Sequence, residues 1–140
     1  MEIRDLLHSE IEIARQFLCT QGWEHRLESE AAFERLIANT QRTAVAVVDG
    51  KIIGFARAIT DGISNGYLSM VAVAHEFRRK GIGRALVTHV MGDDQNITWV
   101  LRAGRDEASL FFSRLGFAAS SVAMERLRRK PENSLESSSA

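Results

Sequence analysis

YLSMVAVAHEFRRKGIGRAL, residues Tyr67 to Leu86, passes from one periodicity to another. Its first part, Tyr67 to Val73, is a short apolar run that predicts a strand. Its last part opens a helix running from Gly81 to about Met91, with Ile82, Leu86 and Val90 at i, i+4 and i+8. Between them Arg78, Arg79, Lys80 and Arg84 surround Gly81 and Gly83. A further apolar run, NITWVL (Asn96 to Leu101), predicts a central strand, so this half of the chain reads as a βαβ unit.

The segment before it reads differently. MEIRDL alternates as a first strand. Ser9 can cap a helix over Glu10 to Thr20, ended by Gly22, in which Ile11, Ala14, Phe17 and Leu18 share a face. Ser29 can cap a second helix carrying Phe33, Leu36 and Ile37. TAVAVV (Thr43 to Val48) and KIIGFARAIT (Lys51 to Thr60) are strands joined by Asp49-Gly50, a dipeptide suited to a two-residue hairpin turn. DGISNG (Asp61 to Gly66) is a second turn. After the βαβ unit, Ala108 to Leu115 is a short helix ended by Gly116, and FAASSVAMERL (Phe117 to Leu127) predicts one or two last strands. The expected class is therefore α+β, or mixed α/β. It has one central, mostly antiparallel sheet of six to seven strands with helices on both faces. A single domain is expected over residues 1–127, followed by a polar, Ser-rich tail over 128–140.

Composition limits the partners. The chain has 140 residues, enough for one core, and 45% of them are apolar. Eighteen basic and eighteen acidic residues cancel, so no global field draws the protein to nucleic acid or to an anionic membrane, and neither partner is expected. Cys19 is the only cysteine, which fits a reducing compartment and a packed thiol. With no membrane-spanning run and no secretory leader, a cytoplasmic location is expected. His8, His25, His75 and His89 are scattered without ligand spacing, and HEFRR is not H-E-x-x-H, so no metal is expected.

Against that neutral background the basic turn is informative. About four backbone N–H groups at a helix start lack intrahelical partners, and the helix dipole adds roughly half a positive charge there. Glycines without Cβ let an anion approach the main chain. Residues 78–84 therefore describe a seat for a phosphate or diphosphate. The sequence G-x-x-x-x-G-K-[ST] is absent, which excludes a P-loop. A dinucleotide-binding turn would need a glycine where Leu86 stands and an acid where Leu101 and Arg102 stand.

The pattern R-x-x-G-x-G that is present, Arg78 to Gly83 preceded by Val71-Ala72-Val73, resembles that of the GNAT superfamily of acetyl-CoA-dependent N-acyltransferases. AxxFFxxLGF, Ala108 to Phe117, is similar to the family's late motif A-x-x-F-Y-x-x-L-G-F. The resemblance covers about residues 1–127. It implies an N-acetyltransferase that moves the acetyl group of acetyl-CoA onto a primary amine of a small molecule, or onto an exposed amino group, by direct attack. It implies that Val71, Ala72 and Val73 pair with the pantetheine arm and that amides of Arg79, Lys80, Gly81, Ile82, Gly83 and Arg84 hold the diphosphate, with Arg78 beside them. An N–H at or near Val71 would face the thioester oxygen, and Asn96–Leu101 would splay from the preceding strand to admit the thioester.

The chain departs from the family pattern twice. Phe112 stands where the family's general-acid tyrosine is expected, and Arg105 stands where an asparagine is frequent. Ser109, Ser113 or water would have to replace the acid. No catalytic base is assigned: Glu76 reads as a surface residue and Asp61 as a turn residue. Trp23, Glu24 and His25, in QGWEH, fall where the family commonly builds its acceptor pocket, and Tyr67 with Ser69 can line it. The resemblance is also compatible with a homodimer. A reading of another class, an acetyl-CoA-binding sensor or interaction module with little turnover, is kept open by Phe112.

Overall fold

The computed structural model describes residues 1–23, 27, 29–104 and 107–129. The chain divides into two compact units, Met1–Gly104 and Arg105–Ala140.

In the first unit the elements run β1 (Glu2–Arg4), α1 (Ile11–Leu18), α2 (Glu30–Ala38), β2 (Arg42–Val48), β3 (Lys51–Thr60), β4 (Asn65–Val73), α3 (Ile82–Met91) and β5 (Thr98–Val100). They form one mixed sheet in the order β1-β2-β3-β4-β5, antiparallel throughout except for the parallel pair β4–β5, which α3 connects. The sheet has five strands among the described residues, not the six to seven expected. NITWVL contributes only Thr98–Val100 and lies at an edge rather than in the centre. The first helix is likewise shorter than its pattern: a turn of 3-10 helix over His8–Glu10 precedes α1, and Cys19–Trp23 forms a wide turn in which Gly22 takes φ 92°.

Local chemistry accounts for the remaining boundaries. The Ser29 hydroxyl accepts a hydrogen bond from the Ala32 amide at 3.0 Å and caps α2. Asp49 and Gly50 take φ 50° and 76°, the left-handed pair that a tight hairpin between right-twisted strands demands.

The two sheet faces are built from residues of different size. One carries Val45, Phe55, Met70 and Ala72, which pack with Ile11, Ala14 and Leu18 of α1, Phe33 of α2 and Leu27. The other is paved with small residues in register, Ala44 beside Ala56 and Ala46 beside Gly54. Onto it α3 lays Ile82, Leu86, Val87 and Val90, all buried. A Cβ on Gly54 would stand 2.9 Å from Leu86 Cδ1 and 3.1 Å from Ala46 Cβ, so the present packing of Leu86 depends on that glycine. Arg42 fixes the far end of α3: its Nη1 donates to the carbonyls of Val90 and Met91 at 3.1 and 2.9 Å, and its guanidinium lies 6.0 Å from the Trp99 ring centroid.

In the second unit α4 (Ala108–Ser113) is closed by amides of Gly116 and Phe117 donating to the carbonyls of Ser113 and Phe112. Phe112 meets Phe111 and Phe117 edge-on, at 4.8 and 5.8 Å between ring centroids. No strand follows. The Ser120 hydroxyl accepts from the amides of Val122 and Ala123 at 3.1 and 2.8 Å, a local turn that competes with ladder pairing, and Val122 and Met124 are 87% and 97% exposed. This local turn accounts for why Phe117–Leu127 does not become the predicted strands.

Trp99 and Gly66 are register partners, and a Cβ at Gly66 would collide with the Trp99 ring. Gly66→Ala is expected to cost about 1–3 kcal/mol in urea unfolding. The cost should largely vanish in a Trp99→Leu background; an equal penalty in both backgrounds would show that the indole is not the obstacle.

Candidate active site

The turn between β4 and α3 is where the conformational demands concentrate. Arg79 takes φ 65° and Gly81 φ 81°, and His75–Phe77 form one turn of 3-10 helix. Gly81 is the N-cap of α3. It brings no side chain to the first turn, no side chain caps that turn, and it holds no acidic residue. The space where its Cβ would be is open. The amides of the first turn precede the first intrahelical bond, from Ala85 N–H to Gly81 C=O at 3.1 Å. An anion can therefore be met by main-chain donors and the positive end of the helix, with Arg79, Lys80 and Arg84 close in sequence.

Arg78 does a different job. Its Nε donates to the Val73 carbonyl at 3.0 Å and its Nη2 lies 3.5 Å from Gln21 Oε1. The guanidinium thus ties the turn back to the end of β4 and to the loop after α1. Lys80 Nζ rests 5.7 Å from the Phe77 ring centroid.

β4 supplies the second half of the geometry. Met70 and Val71 stand opposite the single residue Ala56, so β4 bulges there. Met70 takes φ 56°, a conformation that costs a β-carbon residue about 1–3 kcal/mol and is held here because its side chain is buried in the core. β5 pairs with β4 only through Asn65, Gly66 and Tyr67, the last opposite Val100. The bulge adds twist just beyond that point, and from Leu68 to Val73 the outer edge of β4 has no β5 partner among the described residues. A fork between parallel strands, open toward the start of α3, results.

A family model for the acetyltransferase (GNAT) domain matches residues 39–119, more than half of the chain. The chain belongs to the GNAT acetyltransferase family. Its fold agrees with solved GNAT structures. A protein assigned to the family from Xanthomonas campestris is 25% identical, with a TM-score of 0.70 over 91% of this chain and 94% of that one. A GNAT family acetyltransferase from Streptococcus pneumoniae is 17% identical, with a TM-score of 0.73 over 92% and 97%. Ribosomal-protein-alanine N-acetyltransferase from Brucella melitensis is 17% identical, with a TM-score of 0.70 over 91% and 98%. No curated protein matches the chain.

Within this GNAT acetyltransferase, Val71, Ala72 and Val73 lie on β4 beside the fork, and Arg79 to Arg84 form the turn and the first residues of α3. Tyr67 is half-buried at the closed end of the fork. Trp23 ends the wide turn after α1, whereas Glu24, His25 and Arg105 lie outside the described residues. Phe112 sits on α4 in the second unit. Among the described residues no group of three or more His, Cys, Asp or Glu is placed to hold a metal, and no helix is long and apolar enough to cross a membrane.

Two site features were not anticipated from the residues. Arg57, only 8% exposed, is a register partner of Ser69, and its Nη1 donates to the Thr40 hydroxyl at 2.9 Å. A lone cation inside the apolar strand KIIGFARAIT was the available signal. Gln21 meets Arg78 across residues far apart in sequence, and no local pattern announces it.

Asp61 serves the turn, as its sequence context implies. Its carboxylate accepts from the Ser64 hydroxyl and from the amides of Ile63, Ser64 and Asn65, which hold it well below the usual aspartate range. A carboxyl depressed in this way contributes its stability above its unfolded value of 3.8 and loses it as the pH falls further. Asp61→Ala should lower the melting temperature at pH 7, and the gap should narrow toward pH 2 in calorimetric scans. A gap that stays constant would mean that the charge plays no part.

Proposed function

We propose that this chain is an acetyl-CoA-dependent N-acetyltransferase whose acceptor is a primary amine, on a small molecule or as an exposed amino group. The observation that carries the reading is the uncapped, acid-free start of α3 placed at the end of a strand that has parted from its neighbour. The residues fit the diphosphate of coenzyme A: main-chain donors from Arg79 to Arg84, a left-handed Gly81 with open space above it, and cations close by in the sequence. Arg78 contributes by holding the turn against Val73.

On this reading the backbone of Val71, Ala72 and Val73 pairs with the pantetheine arm along the free edge of β4. The amide of Val71, at the bulge, is the donor for the oxygen on which negative charge gathers. Bound acetyl-CoA supplies an activated thioester, and the acceptor, as its free base, takes the acyl group. An alkyl ammonium titrates near 10, so the deprotonated amine is scarce at neutral pH and water is its first proton acceptor. Phe112 cannot donate a proton. The departing thiol titrates at about 8.5, so the thiolate leaves without an acid and takes its proton from solvent.

Gly83→Asp places a carboxylate in the first turn of α3, where it favours the helix and opposes an incoming anion. Thermal stability should be kept while calorimetric binding of coenzyme A falls by at least a hundredfold; undiminished binding would remove the diphosphate from this turn. Phe112→Tyr should leave binding unchanged and turnover equal or higher in a thiol-release assay. Phe112 also favours a second reading, a module that binds acetyl-CoA and turns it over little. Release of free coenzyme A across a panel of amines separates the two, because the module stays at the hydrolysis background with every amine.

A further inference from the structure

Tyr67 lies in a row of side chains that crosses three strands where the fork closes. It is the register partner of Ile59 on β3 and of Val100 on β5. Partners in register share a face. The neighbouring row identifies which face this is: Trp99 stands over Gly66, with Arg42 and the end of α3 beside it. Ile59, Tyr67 and Val100 therefore point to the opposite side of the sheet, that of α1 and α2.

The two faces are finished unequally at this end. On the α3 side Ala58 and Leu68 are buried. On the other, Ile59 and Val100 are 42% and 43% exposed and flank a half-buried Tyr67. Farther along β4 on the same face the row gives way to a polar pair, Ser69 beside the buried Arg57. The surface is thus a flat aliphatic and aromatic strip with hydroxyl groups at its inner corner. Among the described residues, the side chains that form it, Ile59, Tyr67, Val100, Ser69 and Arg57, include no carboxylate that would hold a polyamine.

We propose that this strip is the acceptor subsite and that the enzyme prefers a primary amine carried on an apolar stem, aromatic or aliphatic. The inference rests on the acetyltransferase reading, since it is the fork that gives the strip its place beside the thioester. The stem lies across Ile59, Tyr67 and Val100, its amine reaches the fork, and the phenol of Tyr67 stays at the edge where ring and hydroxyl are both useful.

The test uses the full chain with saturating acetyl-CoA and three amines: 2-phenylethylamine, glucosamine and a lysine-containing peptide. kcat/KM should be at least tenfold higher for 2-phenylethylamine. Val100→Asp, at a half-exposed position, should raise its KM at least tenfold while calorimetric affinity for acetyl-CoA is unchanged, and Val100→Ile should behave as the parent. Efficient transfer to glucosamine or the peptide, with 2-phenylethylamine no better, overturns the subsite and leaves the acetyltransferase reading standing. Absence of transfer to every amine, with acetyl-CoA still bound, overturns both. If Val100→Asp instead dissociates an oligomer in sedimentation without changing KM, the strip is a contact between copies and the proposal fails.

Discussion

Leu86 reaches the sheet because Gly54 and Ala46 leave it room. With a β-carbon at Gly54, the Leu86 side chain or the helix that carries it would have to shift. The first turn is the one part of α3 with chemistry to offer, since its amides face outward uncapped. Close packing through small residues thus sets the height of the first turn of α3 above the end of β4. Arg42, bound to the last carbonyls of α3 and lying near Trp99, holds the opposite end. A helix anchored at both ends presents its N-terminus at a defined place.

The bulge in β4 complements that arrangement. It is maintained against an unfavourable Met70 conformation by burial of the Met70 side chain in the core between the sheet, α1 and α2. The same feature separates the strand's two functions. Up to Tyr67, β4 is a paired sheet strand; beyond it the backbone is released from β5, as an extended ligand lying along an edge requires. The large-residue face stabilises the bulge, and the small-residue face positions the helix. Neither face alone makes the fork.

Two arginines, one buried and one exposed, lie near the fork. Arg57 lies under the inner corner of the fork beside Ser69, and Arg78 links the turn before α3 to Val73 and Gln21. Arg57 Nη1 donates to the Thr40 hydroxyl, and Arg78 donates to the Val73 carbonyl and the Gln21 amide oxygen. Asp61, by contrast, is consumed by its own turn, which leaves it no vacancy for proton transfer.

Local chemistry determined much of this protein without help from the fold. Asp49-Gly50 made a hairpin, Ser29 made a cap, and the stretch from Val71 to Gly83 specified strand, turn and helix start, because each depends on φ, hydrogen bonds or periodicity within a few residues. The family signature was legible for the same reason, being a backbone requirement written in glycine. Tertiary structure alone decided the rest. The length of β5 and the register that aligns Ile59, Tyr67 and Val100 both depend on partners distant in sequence. Alternation in a single segment says only that a residue faces one side or the other, and which side is covered is settled by what packs there.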